Sequence, residues 1–141
     1  MEQPLKQLIS KKKLDSCIEI LGRVGPENMP NLYRNSDIYI SASMLEGMSN
    51  SMLEALASGL PIITTRCEGL DELLNSNNGI IVENAGSEEI SNAIIKLSND
   101  RQKLKQMSIA ARQQAENFSW TRTAEKYIQL YEQQCIKRGD I

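Results

Sequence analysis

The feature that most constrains this chain lies between residues 37 and 65. There a β-branched apolar run, "DIYISAS" (37–43), a helical segment from about Asn50 to Ser58, opened by "NSMLEALA", and a second apolar run, "PIITT" (61–65), follow one another closely. Gly59 and Pro61 stop the helical segment in the way glycine and proline commonly mark a helix exit. Strands joined through a helix lie parallel, since a parallel pair needs a long crossover whereas an antiparallel pair needs only a tight turn. A parallel sheet is covered by helices on both faces. The class is therefore α/β, and ligands are expected beyond the carboxyl ends of the strands.

The rest of the chain repeats the alternation. "PLKQLISKK" places Leu5, Leu8 and Ile9 at helical spacing, and "CIEIL" (17–21) predicts a short strand headed by a core cysteine, Cys17. "GRVGPENMPN" is a loop by its Gly, Pro and Asn content, and a short helix follows near Asn31 to Arg34. A further short helix spans Gly69 to Leu74, "NSNNG" is a turn, and "GIIV" (79–82) is the fourth predicted strand. Ser87 is placed to cap a helix with Ile90, Ala93, Ile94 and Leu97 on one side. The next helix, 101–116, carries Leu104, Met107, Ala111 and Ala115. A last one, opened by "FSW", aligns Trp120, Ala124, Tyr127, Ile128 and Tyr131. Packing is the expected role of all three stripes.

The 141 residues suffice for one core of ordinary size. Sixteen basic and 18 acidic residues nearly cancel, so no global field points to nucleic acid or anionic lipid. The run Lys11, Lys12, Lys13 is expected at a solvated helix end. No apolar run approaches the roughly 20 residues of a membrane span, and the first ten residues lack a signal-peptide core. Cys17, Cys67 and Cys135 are odd in number and widely spaced, which fits reduced thiols and a cytoplasmic setting. Histidine is absent, which excludes imidazole bases, histidine metal ligands and Ser-His or Cys-His pairs within the chain.

The candidate site lies at the end of the strand 37–43. The helix starting near Asn50 offers amides without internal partners and the positive end of its dipole, a place for phosphate, and Gly47 lets backbone approach a ligand closely. Glu54 is then about 6 Å further along the helix axis, at 1.5 Å per residue. A carboxylate there can accept two hydroxyl hydrogen bonds at once, as vicinal ribose hydroxyls would donate. Glu46, before the turn, faces the other end of the same ligand. On spacing alone, a solvated helix glutamate and a loop glutamate explain the pair equally well.

"EGMSNSMLEALASGLPIITT" resembles the Glu, seven residues, Glu signature of the retaining glycosyltransferases of family four (group 1), which have the GT-B fold. "LGRVGPENMPNLYRNSDIYISAS", "NNGIIVENAGSEEISNAI" and "FSWTRTAEKYIQLYE" are similar to the segments that flank it in that family, in the same order. The resemblance implies a partial C-terminal GT-B domain, a parallel Rossmann-like sheet flanked by helices over residues 1–118, with a closing helix over 119–136. It implies a hexosyltransferase-type enzyme that takes a UDP- or GDP-sugar, without a metal or other cofactor. Glu54 would hold the ribose, and amides around Ser49, Asn50 and Ser51 would receive the diphosphate. Glu46 would lie beside the transferred sugar as the catalytic-site carboxylate, with Gly47 and Met48 turning beneath it. The loop at Arg23 and Val24 would border the base. Polysaccharide or glycoconjugate synthesis is the family-level expectation.

One departure matters. The family's donor domain normally begins with a strand and a basic loop, then a second strand, before any segment like residues 1–16. These parts, and the N-terminal acceptor domain, do not occur in the sequence. The chain is therefore expected to be part of a larger transferase or the product of a truncated gene, inactive alone, with a sheet that either repacks or keeps an open edge. Two other readings stand beside it. One is a non-catalytic GT-B-like module that needs a partner chain to complete its sheet. The other is a receiver-like switch, disfavoured because no acidic cluster closes the early strands.

Overall fold

A computed structural model describes residues 2–43, 49–83 and 86–138. The elements are helix α1 (Glu2–Lys11), α2 (Met29–Arg34), strand β1 (Tyr39–Ser41), α3 (Asn50–Ala57), β2 (Ile62–Thr65), α4 (Leu70–Leu73), β3 (Gly79–Val82), α5 (Ser87–Ser98), α6 (Arg101–Ala115), a 3₁₀ turn (Glu116–Phe118) and α7 (Trp120–Arg138). Among the described residues the three strands form one parallel sheet in the order β1-β2-β3, pairing Tyr39 with Ile62 and Ile62 with Gly79.

Residues of β2 alternate between two cores, as a period of two requires. Ile62 faces Met52 and Leu56 of α3, Leu70 and Leu73 of α4, and Ala111 of α6. Ile63 faces Ala93 and Leu97 of α5, Val82 of β3, and Leu104 and Met107 of α6. Helix α6 therefore contributes to both cores and ties them together. A third cluster joins Tyr33 of α2 to Ala55 and Leu60.

Helix α3 ends as its sequence dictates. Gly59 adopts φ +80°, Leu60 N–H bonds the Ala55 carbonyl at 2.9 Å, and Gly59 N–H bonds that of Leu56 at 2.9 Å. This is the paired closure that a left-handed residue after a helix permits, and it turns the chain directly into β2.

Several expectations are corrected. Residues 17–21 form no strand: Ile18 and Leu21 are 44% and 49% exposed, and Cys17 is exposed rather than core. The Cys17 and Ile18 amides instead donate back to the Leu14 carbonyl at 2.9 and 3.0 Å, so the segment opens as a turn and pairs with none of the described strands. Among the described residues the outer side of β1 pairs with no strand and is a sheet edge. Ser87 is the first residue of α5, not its cap; Gly86, in extended conformation, holds that position. The stripes of α5 and α6 pack as expected, but that of α7 does not. Trp120 is 89% exposed, and Ala124, Tyr127, Ile128 and Tyr131 are exposed as well. Lys11 to Lys13 do sit at a solvated helix end, with Lys13 turning at φ +56°.

Candidate functional site

Helix α3 begins at Asn50, with Ser49 as its cap in extended conformation. The Ser49 side chain caps no amide; its Oγ lies 2.7 Å from Ser51 Oγ, which in turn lies 2.8 Å from the Tyr39 hydroxyl. The first helical bond is donated by Leu53 N–H to the Ser49 carbonyl at 3.1 Å. The amides of Asn50, Ser51 and Met52 precede it and have no acceptor within the helix. They open at the carboxyl end of β1, beside residues that anchor one another through hydroxyls.

Met52, Ala55 and Leu56 are buried against the sheet, which turns Glu54 outward. Glu54 stands on the rim between two cavities. One, of about 450 Å³, is lined by Val24, Pro26, Met29 and Tyr33 together with Glu54. The other, of about 580 Å³, is bounded by Asn50, Leu53, Glu54 and Ala57 of α3 and by Phe118, Ser119 and Trp120, where the 3₁₀ turn leads into α7. Residues 50, 53, 54 and 57 fall on one face of a helix, so a single stripe of α3 forms that wall. A further open cleft of about 690 Å³ runs along β3 and α5 and includes neither Glu54 nor Val24.

The Tyr33 hydroxyl donates to Glu54 Oε2 at 3.1 Å. Burial pushes the phenol up to about 12, and the carboxylate beside it pushes in the same direction, because both favour the neutral form. At the carboxyl ends of β2 and β3, Arg66 forks onto Glu83 through Nε and Nη2 at 2.8 to 2.9 Å and reaches Asp71 at 3.3 Å. Arg66 holds the Glu83 carboxyl below its ordinary range.

Of the residues expected at the site, Ser49, Asn50, Ser51 and Glu54 lie together on the first turns of α3, and Val24 shares a cavity with Glu54. Arg23 is exposed and does not line that cavity. Glu46, Gly47 and Met48 lie outside the described residues. Sequence reasoning missed Tyr33 and Tyr39. Their contacts with Glu54 and Ser51 span 21 and 12 residues, beyond any local pattern. Among the described residues no helix is long and apolar enough to cross a membrane.

Comparison with known proteins places this geometry. The family model of group 1 glycosyl transferases matches residues 1–114. An uncharacterised glycosyltransferase of Methanocaldococcus jannaschii is 33% identical over 122 residues, covering 84% of this chain and 31% of that protein. The D-inositol 3-phosphate glycosyltransferase of Corynebacterium urealyticum is 27% identical over 134 residues, covering 93% and 32%. The chain spans about a third of the length of the curated relatives it matches. Among solved structures, the C-terminal domain of the group 1 glycosyltransferase LpcC of Francisella tularensis superposes with a TM-score of 0.74 at 25% identity, covering 82% of this chain and 60% of that one. Anabaena HepE in complex with UDP superposes with a TM-score of 0.83 at 22% identity, covering 93% and 36%. With sequence match and three-layer architecture in agreement, the chain belongs to the group 1 glycosyltransferases and has the fold of their C-terminal GT-B domain.

Proposed function

We propose that these residues are the donor-binding part of a retaining, family-four glycosyltransferase that uses a nucleoside diphosphate sugar. The observation that carries this reading is the position of Glu54. It lies one turn inside a helix whose N-terminal amides lack helical acceptors, and it borders the cavity that also contains Val24. A diphosphate at Ser49 to Ser51, a ribose at Glu54 and a base against Val24 would follow one another in the order they have in a nucleoside diphosphate. The family match and the complexes of HepE with UDP and with UDP-glucose support a nucleotide sugar as the donor class.

As the glycosidic bond to the donor breaks, negative charge grows on the departing diphosphate. Amides already aimed at that position and the helix dipole stabilise this state more than the ground state, so they lower the barrier rather than merely tightening binding. Glu46 in this reading lies by the anomeric carbon, hydrogen-bonding the sugar and favouring positive charge there; it is not assigned as a nucleophile. No metal is assigned a step. The acceptor site belongs to a second domain, so these 141 residues alone turn over negligibly. The cytoplasm, where nucleotide sugars are available, and polysaccharide or glycoconjugate synthesis complete the proposal.

The test is an amide chemical-shift titration of the labelled chain with UDP, GDP and ADP, followed over Ser49 to Glu54. Saturable shifts focused there for one nucleotide are expected, weakened at least tenfold by Glu54→Ala, about what losing one charge-assisted hydrogen bond costs. A folded chain that shows no such shifts with any of the three overturns the donor-site reading. The outer edge of β1, unpaired among the described residues, favours a second reading, a module whose sheet is completed by a partner chain. Native mass measurement showing an obligate complex indifferent to nucleotide would select it.

A further inference from the structure

We propose that Tyr33 is a positioning residue for nucleotide recognition, holding one oxygen of the Glu54 carboxylate so that the other is presented to the ribose. The proposal rests on the donor-site reading above. Glu54 is exposed, and a free glutamate at such a rim distributes over many rotamers that binding must then select. Tyr33 is the opposite: it is 6% exposed, and its ring packs among Ala55, Leu60, Met29 and Tyr39. Its hydroxyl is thus fixed by the core and reaches Oε2 at 3.1 Å.

A carboxylate has about four lone-pair directions on two oxygens. Among the described residues Oε1 has no hydrogen-bond partner, and that is where a vicinal pair of hydroxyls would donate. The phenol keeps its proton at ordinary pH, for the reasons given above, so it acts as a donor and not a competitor. The same short helix also ties the two ends of the nucleoside together. Helix α2 follows the loop that carries Val24, and Met29 and Pro30 of α2 line the cavity beside Tyr33. The wall facing the base and the anchor of the ribose carboxylate therefore lie on one short stretch of chain, residues 24–33.

A purely structural tyrosine, packing α2 on α3, would affect all nucleotides alike. The discriminating quantity is therefore the ratio of dissociation constants for a ribonucleoside diphosphate and its 2′-deoxy and 3′-deoxy counterparts. The base is whichever of UDP, GDP and ADP binds the chain best. The ratio is taken for the wild-type chain, Tyr33→Phe, Glu54→Ala and the double variant. Any loss of folded protein scales both constants equally and cancels in the ratio.

The wild type is expected to prefer the ribonucleotide by about tenfold or more, and Tyr33→Phe to reduce the preference to about threefold. Tyr33→Phe should add nothing once Glu54 is alanine, because the two act as one element. An undiminished preference in Tyr33→Phe refutes the positioning role and leaves the donor site standing. The same holds if Tyr33→Phe lowers the preference equally in the Glu54→Ala background. A wild type without ribose preference, or without saturable binding of any of the three, refutes the donor site itself and the positioning role with it.

Discussion

Replacing Asn78 by alanine should destabilise this protein more than its place in a surface turn suggests. Asn78 is 1% exposed and closes the loop between α4 and β3 with both ends of its amide. Oδ1 accepts the Asn75 N–H at 2.7 Å, and Nδ2 donates to the Leu73 carbonyl at 3.1 Å. Its own carbonyl accepts from Ile62 N–H at 3.2 Å, so the residue also links the loop to the central strand. Alanine keeps the last bond and removes the first two. The Leu73 carbonyl is left buried without that partner, at a cost of about 1–3 kcal/mol, whereas the partly buried Asn75 N–H can recover water and costs about 1 kcal/mol. The sum is about 2–4 kcal/mol. For a domain of this size that corresponds to a fall of roughly 8–15 °C in Tm. Thermal melts followed by far-ultraviolet circular dichroism, with urea titration for the free energy, measure it. Asn77→Ala is the control: Asn77 is exposed and uses only its backbone N–H in the loop, so the change should stay within about 0.5 kcal/mol. Equal and small effects of the two substitutions would refute the claim that Asn78 organises this loop.

Gly59→Ala forces a side chain into φ +80°, with its Cβ 3.3 Å from Ser108 Oγ, and should cost about 1–2 kcal/mol by urea titration. Gly86→Ala, at φ −77° with the flexible end of Glu89 nearest its Cβ, loses the preference for glycine at a cap but lowers the entropy of the unfolded chain by a similar amount, and should be close to neutral by urea titration. Alkaline stability tests the Tyr33 environment. The folded phenol sits at about 12 against an ordinary value of 10, so between those limits the unfolded chain sheds a proton that the folded chain keeps. The contribution is complete below about pH 10 and is lost as pH rises through about 12. Tyr33→Phe should flatten this part of the stability curve, and an unchanged slope would contradict it.

The candidate site was only partly legible because its determinants act at different ranges. The first turns of α3, from Asn50 to Glu54, could be placed from the local run of helix formers and the Gly59 and Pro61 stop. Val24 was tied to them through the family resemblance alone. Arg23 was placed beside it by the same resemblance; it is exposed and is not among the residues lining the cavity that Val24 shares with Glu54. Tyr33 could not be found, since nothing near "NLYRN" announces a partner 21 positions on.

By itself the sequence determined the alternation of strand and helix over 37–115. Residue propensities, the period of the apolar positions and the glycine closure are properties of a few neighbouring residues. Only the tertiary structure decided the fate of "CIEIL" and of the α7 stripe. The first has strand-forming residues, but two of its amides turn back onto Leu14 and it pairs with none of the described strands. The second has helical periodicity, but nothing described covers it, and Trp120 is left 89% exposed. Pattern specifies what an element is able to bury or pair; whether it does so depends on what the rest of the fold brings against it.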